Sequence, residues 1–166
     1  MSVGLPPFQQ LVDDHWRDVA RLAASIAGPR EGNDVAQEAW VRALAAYPTL
    51  AHARNLRSWL LTITARTAID AQRATGRTAG RRADVDAAAP VAAPSAELPD
   101  EELWAGVAAL PERQRLAVLL HYVGGLAHRE VAVALATTPA ASRRLVSDAL
   151  ASLRVALGDA FSPEVP

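Results

Sequence analysis

Arginine carries all of the Lys/Arg charge in this chain, and its spacing along one segment is the first sign of chemistry. Arg66, Arg73 and Arg77 stand at offsets of zero, seven and eleven, which fall on one face of an α-helix. Arg54 and Arg57 precede them and Arg81 and Arg82 follow. With Asp70 as the single acid, residues 54–82 carry a net +6 although the whole chain carries -1. A helix face of this charge suits a polyanion, because each phosphate it neutralises releases counterions and adds affinity. The plain alternative is a solvated face. In that case Asp70 pairs with Arg66, four residues before it, and with Arg73, three residues after it, for a few tenths of a kcal/mol each. A GC-rich genome, with abundant alanine and no lysine, explains the choice of arginine better than a demand for bidentate contacts.

A second cluster lies near the carboxy terminus. The stretch GLAHREVAVAL, a tight break at Ala136-Thr137-Thr138 and a longer helix opening with Pro139 read as a helix-turn-helix. Thr138 as cap and Pro139 as first helical residue make a firm start. Leu145, Val146, Ala149, Leu150 and Leu153 are expected to face inward, leaving Arg143, Arg144, Ser147 and Arg154 outward, near the positions that approach a major groove. Two helices at this spacing also form an ordinary packing unit.

Nothing in the chain points to catalysis. His15, His52, His121 and His128 are scattered over four segments, without a metal-ligand spacing. Asp13-Asp14-His15 are adjacent on one helix and splay apart. There is no Gly-rich phosphate loop or nucleophile motif, and with no cysteine there is neither a disulfide nor a thiolate site. No enzyme, cofactor or metal is expected.

The elements that would position these clusters are helical throughout. The first, near 8–27, carries Phe8, Leu11, Val12, Trp16, Val19, Leu22 and Ala23 on one stripe and stops at Gly28-Pro29. The second, near 34–46, is expected to be capped by Asp34 with Gln37 as the returning partner, and Pro48 lies beyond its end. The third, near 55–75, is expected to bury Leu56, Trp59, Leu60, Ile63 and Ile69. Four more lie near 100–109, 112–123, 127–135 and 139–157, broken at Pro111, Gly124-Gly125 and Thr137-Thr138-Pro139. Between the two sets, residues 83–99 hold short alanine runs, three prolines and no apolar periodicity. Such a stretch buries too little surface to offset its ordering entropy. The expected organisation is all-α: a helical domain over 8–77, a flexible linker over 78–99 and a second helical domain over 100–160. The amino terminus lacks the order of a signal peptide, and no uncharged apolar run approaches the roughly 20 residues that cross a bilayer. A cytoplasmic chain without membrane insertion is expected.

Two blocks of residues carry a family resemblance. Asp34-Val35-Ala36-Gln37-Glu38-Ala39-Trp40 matches D-V-x-Q-E-x-F/W. Arg57-Ser58-Trp59-Leu60-Leu61-Thr62-Ile63, followed by Asp70 and Arg73, matches R-x-W-L-x-x-I…D-x-x-R. Leu110-Pro111-Glu112-Arg113-Gln114-Arg115 matches L-P-x-x-x-R, and Gly125-Leu126 with Glu130-Val131-Ala132 and Leu135 matches G-x-S-x-x-E-I/V-A-x-x-L. In this order, around an unstructured linker, they resemble the second and fourth conserved regions of extracytoplasmic-function sigma factors of the sigma-70 family.

The resemblance implies a non-enzymatic factor that binds core RNA polymerase and directs promoter-specific initiation. Asp34, Gln37, Glu38 and Arg42 would face a coiled coil of the polymerase's largest subunit, and the fourth region would meet the flap. Arg54, Asn55, Arg57, Arg66, Arg73 and Arg77 would handle the melted minus-ten element, where a basic face beside aromatic residues suits unstacked single-stranded bases. Arg129, Thr138, Ser142, Arg143, Arg144 and Ser147 would read the minus-thirty-five duplex. Family analogy adds an anti-sigma protein as a further partner.

The chain departs from the family pattern at several points. Ala127 replaces the usual serine and removes an N-cap hydroxyl worth about 1 kcal/mol. Ala136 replaces a turn glycine, and Asp148 stands where an arginine is usual, which puts affinity for the upstream element in doubt. Two other readings therefore stay open: a helix-turn-helix regulator that binds duplex without polymerase, and a degenerate sigma-like protein that initiates weakly.

Overall fold

The computed structural model describes residues 4–51, 54–79 and 101–158, and the regular structure among them is helical. The chain divides into two compact units, Met1–Ala93 and Pro94–Pro166.

In the first unit, α1 (Phe8–Ala27), α2 (Gly32–Ala46) and α3 (Leu56–Ala79) pack against one another in all three pairings. α1 stops where Gly28 takes a φ of 86°, its N–H donating to the Ala24 carbonyl at 2.9 Å. The buried faces are Leu11, Val19, Leu22, Ala23 and Ile26 from α1, and Val35, Ala36, Ala39 and Ala43 from α2. Small residues on α2 let the helices approach closely. The tightest point is Gly32, where an added Cβ would lie 2.6 Å from the Ala24 Cα. Gln72 of α3 ties into the same end of α1 by donating to the carbonyl of Ile26 at 2.6 Å.

Four expectations change here. α2 begins at Gly32 with no side-chain cap, so Asp34 lies inside its first turn and does not cap it. There its carboxylate suits the positive end of the helix dipole. Trp16 is 53% exposed, outside the buried stripe of α1. The core face of α3 is Leu60, Leu61, Thr64, Ala65 and Ala68, joined by Thr67, whereas Leu56, Trp59, Ile63 and Ile69 are only half-buried. The threonines are tolerated because each hydroxyl donates to its own helix: Thr64 to the Leu60 carbonyl at 3.0 Å and Thr67 to that of Ile63 at 2.8 Å. α3 also runs on to Ala79, taking in the first two residues of the expected linker. The remainder of that linker lies outside the described residues.

In the second unit, α4 (Glu101–Ala109), α5 (Glu112–Val118) and α6 (His128–Ala134) all pack on α7 (Pro139–Leu157). Leu116, Leu119, Leu120, Leu126, Val131 and Leu153 form the core, each at about 1.5–3 kcal/mol for full burial. α5 runs into a single π-turn, Leu119–Val123, closed by the Gly124 N–H on the Leu119 carbonyl at 2.9 Å. Only glycine fits at 124, because a Cβ there would meet the Leu120 carbonyl oxygen at 2.6 Å. The α6–α7 turn passes through Ala136 at φ 50°, the left-handed conformation that favours the glycine missing here.

Candidate nucleic-acid interface

Along α3 the backbone dictates a division of labour. With Leu60, Thr64, Ala68 and their neighbours turned inward, Arg66 and Arg73 come to the exposed face one above the other. Asp70 lies between them and is tied to a neighbouring helix. Its carboxylate accepts from Arg42 Nη1 on α2 at 2.8 Å, and Arg42 Nε holds Glu38 at 2.9 Å. Asp70 first, then Glu38, hold the Arg42 guanidinium above its ordinary pKa. The acid within the basic face is thus matched by an arginine from another helix. The side chains of Arg66 and Arg73 are exposed on either side of Asp70.

The entrance to α3 is built differently. Asn55 takes a φ of 60°, which asparagine accepts more readily than most residues, and its carbonyl receives the Trp59 N–H at 3.1 Å. Arg54 and Asn55 are exposed. Arg57 is half-buried, and its Nε donates to Asp18 of α1 at 2.8 Å, so this guanidinium braces two helices. Trp59 packs against Tyr47, with ring centroids 6.2 Å apart. Tyr47 packs in turn on Phe8 at 5.2 Å, and Phe8 meets Trp40 at 6.0 Å. The side chain of Arg77, together with Arg81 and Arg82, lies outside the described residues.

On α2, Asp34, Gln37, Glu38 and Arg42 are all exposed. Sequence reasoning missed two neighbours. Val41 is 62% exposed and Leu44 55%, and with Gln37 they fall at offsets zero, four and seven on one outward stripe. The signal was present as an apolar i, i+3 pair opposite the alanine stripe of the core.

In the second unit, Thr138 accepts the Ala141 N–H at 3.1 Å and so caps α7. Arg129, Arg143, Arg144 and Ser147 are exposed. Ser142 is not: it is 0% exposed, with its hydroxyl 3.1 Å from His128 Nδ1. It therefore holds the helix pair together and is no candidate for base contact, a correction that follows from its facing α6. Asp148 is exposed beside Arg144, 3.8 Å from its Nε. The motif arginines are structural in part. Arg113 Nη2 donates to the Leu135 carbonyl at 3.2 Å and Arg115 Nη1 to that of Ala108 at 3.3 Å, each serving orphan acceptors at a helix end.

Among the described residues no group of three or more His, Asp or Glu could hold a metal, and no helix is long and apolar enough to cross a membrane. The chemistry available is that of a surface: guanidinium groups at helical spacing on one unit, and a capped helix with an outward polar face on the other.

Comparison with known proteins gives a consistent picture. The family model for Sigma-70 region 2 matches residues 11–78, and that for Sigma-70, region 4 matches residues 100–153. No curated protein sequence matches the chain. Among solved structures, the chain is similar to the sigma factor RpoE in complex with the anti-sigma factor NepR from Bartonella quintana. The TM-score there is 0.80 at 20% identity, covering 93% of this chain and 98% of that one. It is also similar to CnrH in complex with the cytosolic domain of CnrY, with a TM-score of 0.67 at 24% identity, covering 93% and 89% respectively. At such identities the structural likeness carries the fold.

Proposed function

We propose that this chain, which belongs to the sigma-70 family in its extracytoplasmic-function branch, binds core RNA polymerase and directs it to promoters. The observation that carries the reading is the pairing of two matches, in order, on two separate compact units. Each unit presents the kind of surface its region would need. The protein is then a cytoplasmic transcription factor without catalytic residues or a cofactor of its own.

In this reading α2 docks on the coiled coil of the largest subunit through Asp34, Gln37, Glu38 and Arg42, with Val41 and Leu44 supplying apolar contact. Arg42 arrives preorganised, since Glu38 and Asp70 fix its guanidinium. Arg66 and Arg73, with Arg54, Asn55 and Arg77, track the backbone of the melted minus-ten strand. Arg57 acts through the Asp18 brace that sets the entrance to α3. Arg129, Arg143, Arg144 and Ser147 meet the upstream duplex, with Thr138 fixing the start of α7 and the same unit meeting the flap. An anti-sigma partner is supported by the RpoE structure, which was solved with one.

A second reading is favoured by one observation. Asp148 stands on the exposed face of α7, where a carboxylate repels phosphate, so the second unit would read its element weakly. Gel filtration of the purified chain with core polymerase and with promoter duplex tests the main reading. The expected result is co-elution with core and poor retention on duplex alone. Tight duplex binding without co-elution would identify an ordinary helix-turn-helix regulator.

A further inference from the structure

Two imidazoles meet where the π-turn, α6 and α7 converge. The rings of His121 and His128 are stacked, with centroids 4.4 Å apart and an interplanar angle of 17°. His121 Nδ1 lies 2.8 Å from the Leu126 carbonyl oxygen. A carbonyl only accepts, so this nitrogen carries the hydrogen. His128 Nδ1 lies 3.1 Å from the hydroxyl of Ser142, which is fully buried on α7. The Ser142 N–H donates to the Thr138 carbonyl at 2.9 Å. A continuous chain of interactions thus runs from the loop after the π-turn, through both rings, to the first turn of α7.

The arrangement is satisfied when both rings are neutral. A proton on His128 makes both of its nitrogens donors, forces the Ser142 hydroxyl to accept, and lays a cation flat against His121. The neighbours that bear most on this proton, His121 and Arg143, oppose it. The π-turn contributes His121 itself, with Tyr122 edge-on to that ring at 5.0 Å. α7 contributes Arg143, and α6 adds the exposed Arg129. Glu130, also on α6, accepts the Ala127 N–H at 2.8 Å. Burial first, then His121, then Arg143, hold the His128 imidazole below the ordinary histidine range.

We propose that His121, His128 and Ser142 form a proton-sensitive latch that positions α7 against α6 and loosens on acidification. The folded chain takes up the His128 proton less readily than the unfolded chain, so the unfolded chain binds more protons and stability rises with pH. The latch is closed above about pH 6.5, weakens as pH falls through that value, and the loss levels off below the folded titration. It stands on interactions within this unit and does not rest on promoter reading.

Hydrogen exchange on the full chain at about pH 7.5 and about pH 5.5, corrected for intrinsic rates, tests it. Protection of the α7 amides is expected to fall several-fold at the lower pH, with no matching fall in α1 to α3. His128→Asn keeps an amide group near the Nδ1 position but cannot be charged, so it should flatten the difference. Equal protection at both pH values, or an unchanged fall in the variant, overturns the latch. Should the variant not fold, NMR titration of His128 in the unaltered chain decides. Titration below that of a histidine peptide supports the latch, and titration at or above it overturns it.

Discussion

The Arg42 guanidinium of α2 donates to the Asp70 carboxylate of α3 at 2.8 Å, across 28 residues of sequence. The pair sits where two proposed surfaces adjoin, the polymerase-facing side of α2 and the basic face of α3. Both side chains are substantially exposed, at 43% and 57%, so the pair is worth a surface increment only. Asp70→Asn is expected to cost about 0.2–1 kcal/mol, shrinking with added salt. Urea denaturation at low and high ionic strength measures this. A larger, salt-independent loss would mean that Asp70 does more than hold Arg42.

Ala127 occupies an N-cap position with suitable extended backbone, φ -65° and ψ 154°, but has no oxygen to offer. Glu130 already supplies the other half of a capping box by accepting the Ala127 N–H at 2.8 Å. Ala127→Ser should complete it and raise stability by about 0.5–1 kcal/mol, read as a higher urea midpoint for the second unit.

Arg66 and Arg73 share the exposed face of α3 while Asp70 between them is held by Arg42. Replacing both with alanine should weaken promoter opening and lower its salt dependence, by about one in the log–log slope for each phosphate that is no longer neutralised. An unchanged slope in a permanganate footprinting series would mean that this face is merely solvated.

Asp148 lies 3.8 Å from Arg144 Nε on the outward side of α7, where, on the proposed reading, it would repel phosphate and partly neutralise a candidate DNA-binding arginine. Asp148→Arg should tighten binding of the second unit's upstream duplex, measured by fluorescence anisotropy with the holoenzyme. No gain would place Asp148 away from the DNA.

The helices were legible because their breaks are marked by residues that cannot continue them. Gly28-Pro29, Pro111, Gly124 and Pro139 each fall at or beside an observed boundary. The start of α2 was not legible. The helix begins at Gly32, which packs so closely on Ala24 that no Cβ fits there, a tertiary fact that local capping rules cannot see. The core face of α3 was misjudged for a related reason. Size suggested Trp59, Ile63 and Ile69, yet Thr64 and Thr67 turn inward by bonding to their own helix carbonyls. The basic surface itself was readable from arginine spacing. Its wiring was not, since Arg42 donates to Asp70 and Arg57 to Asp18, pairs 28 and 39 residues apart. Ser142 was misread because a serine among arginines looks like a polar surface, while its hydroxyl has a half-buried imidazole to bond.

Run-off transcription with purified core polymerase on a genomic promoter library tests the central claim most directly. The account predicts discrete transcripts that appear only when the chain is added and whose start points share upstream sequence elements. No chain-dependent transcript from any genomic promoter would contradict it.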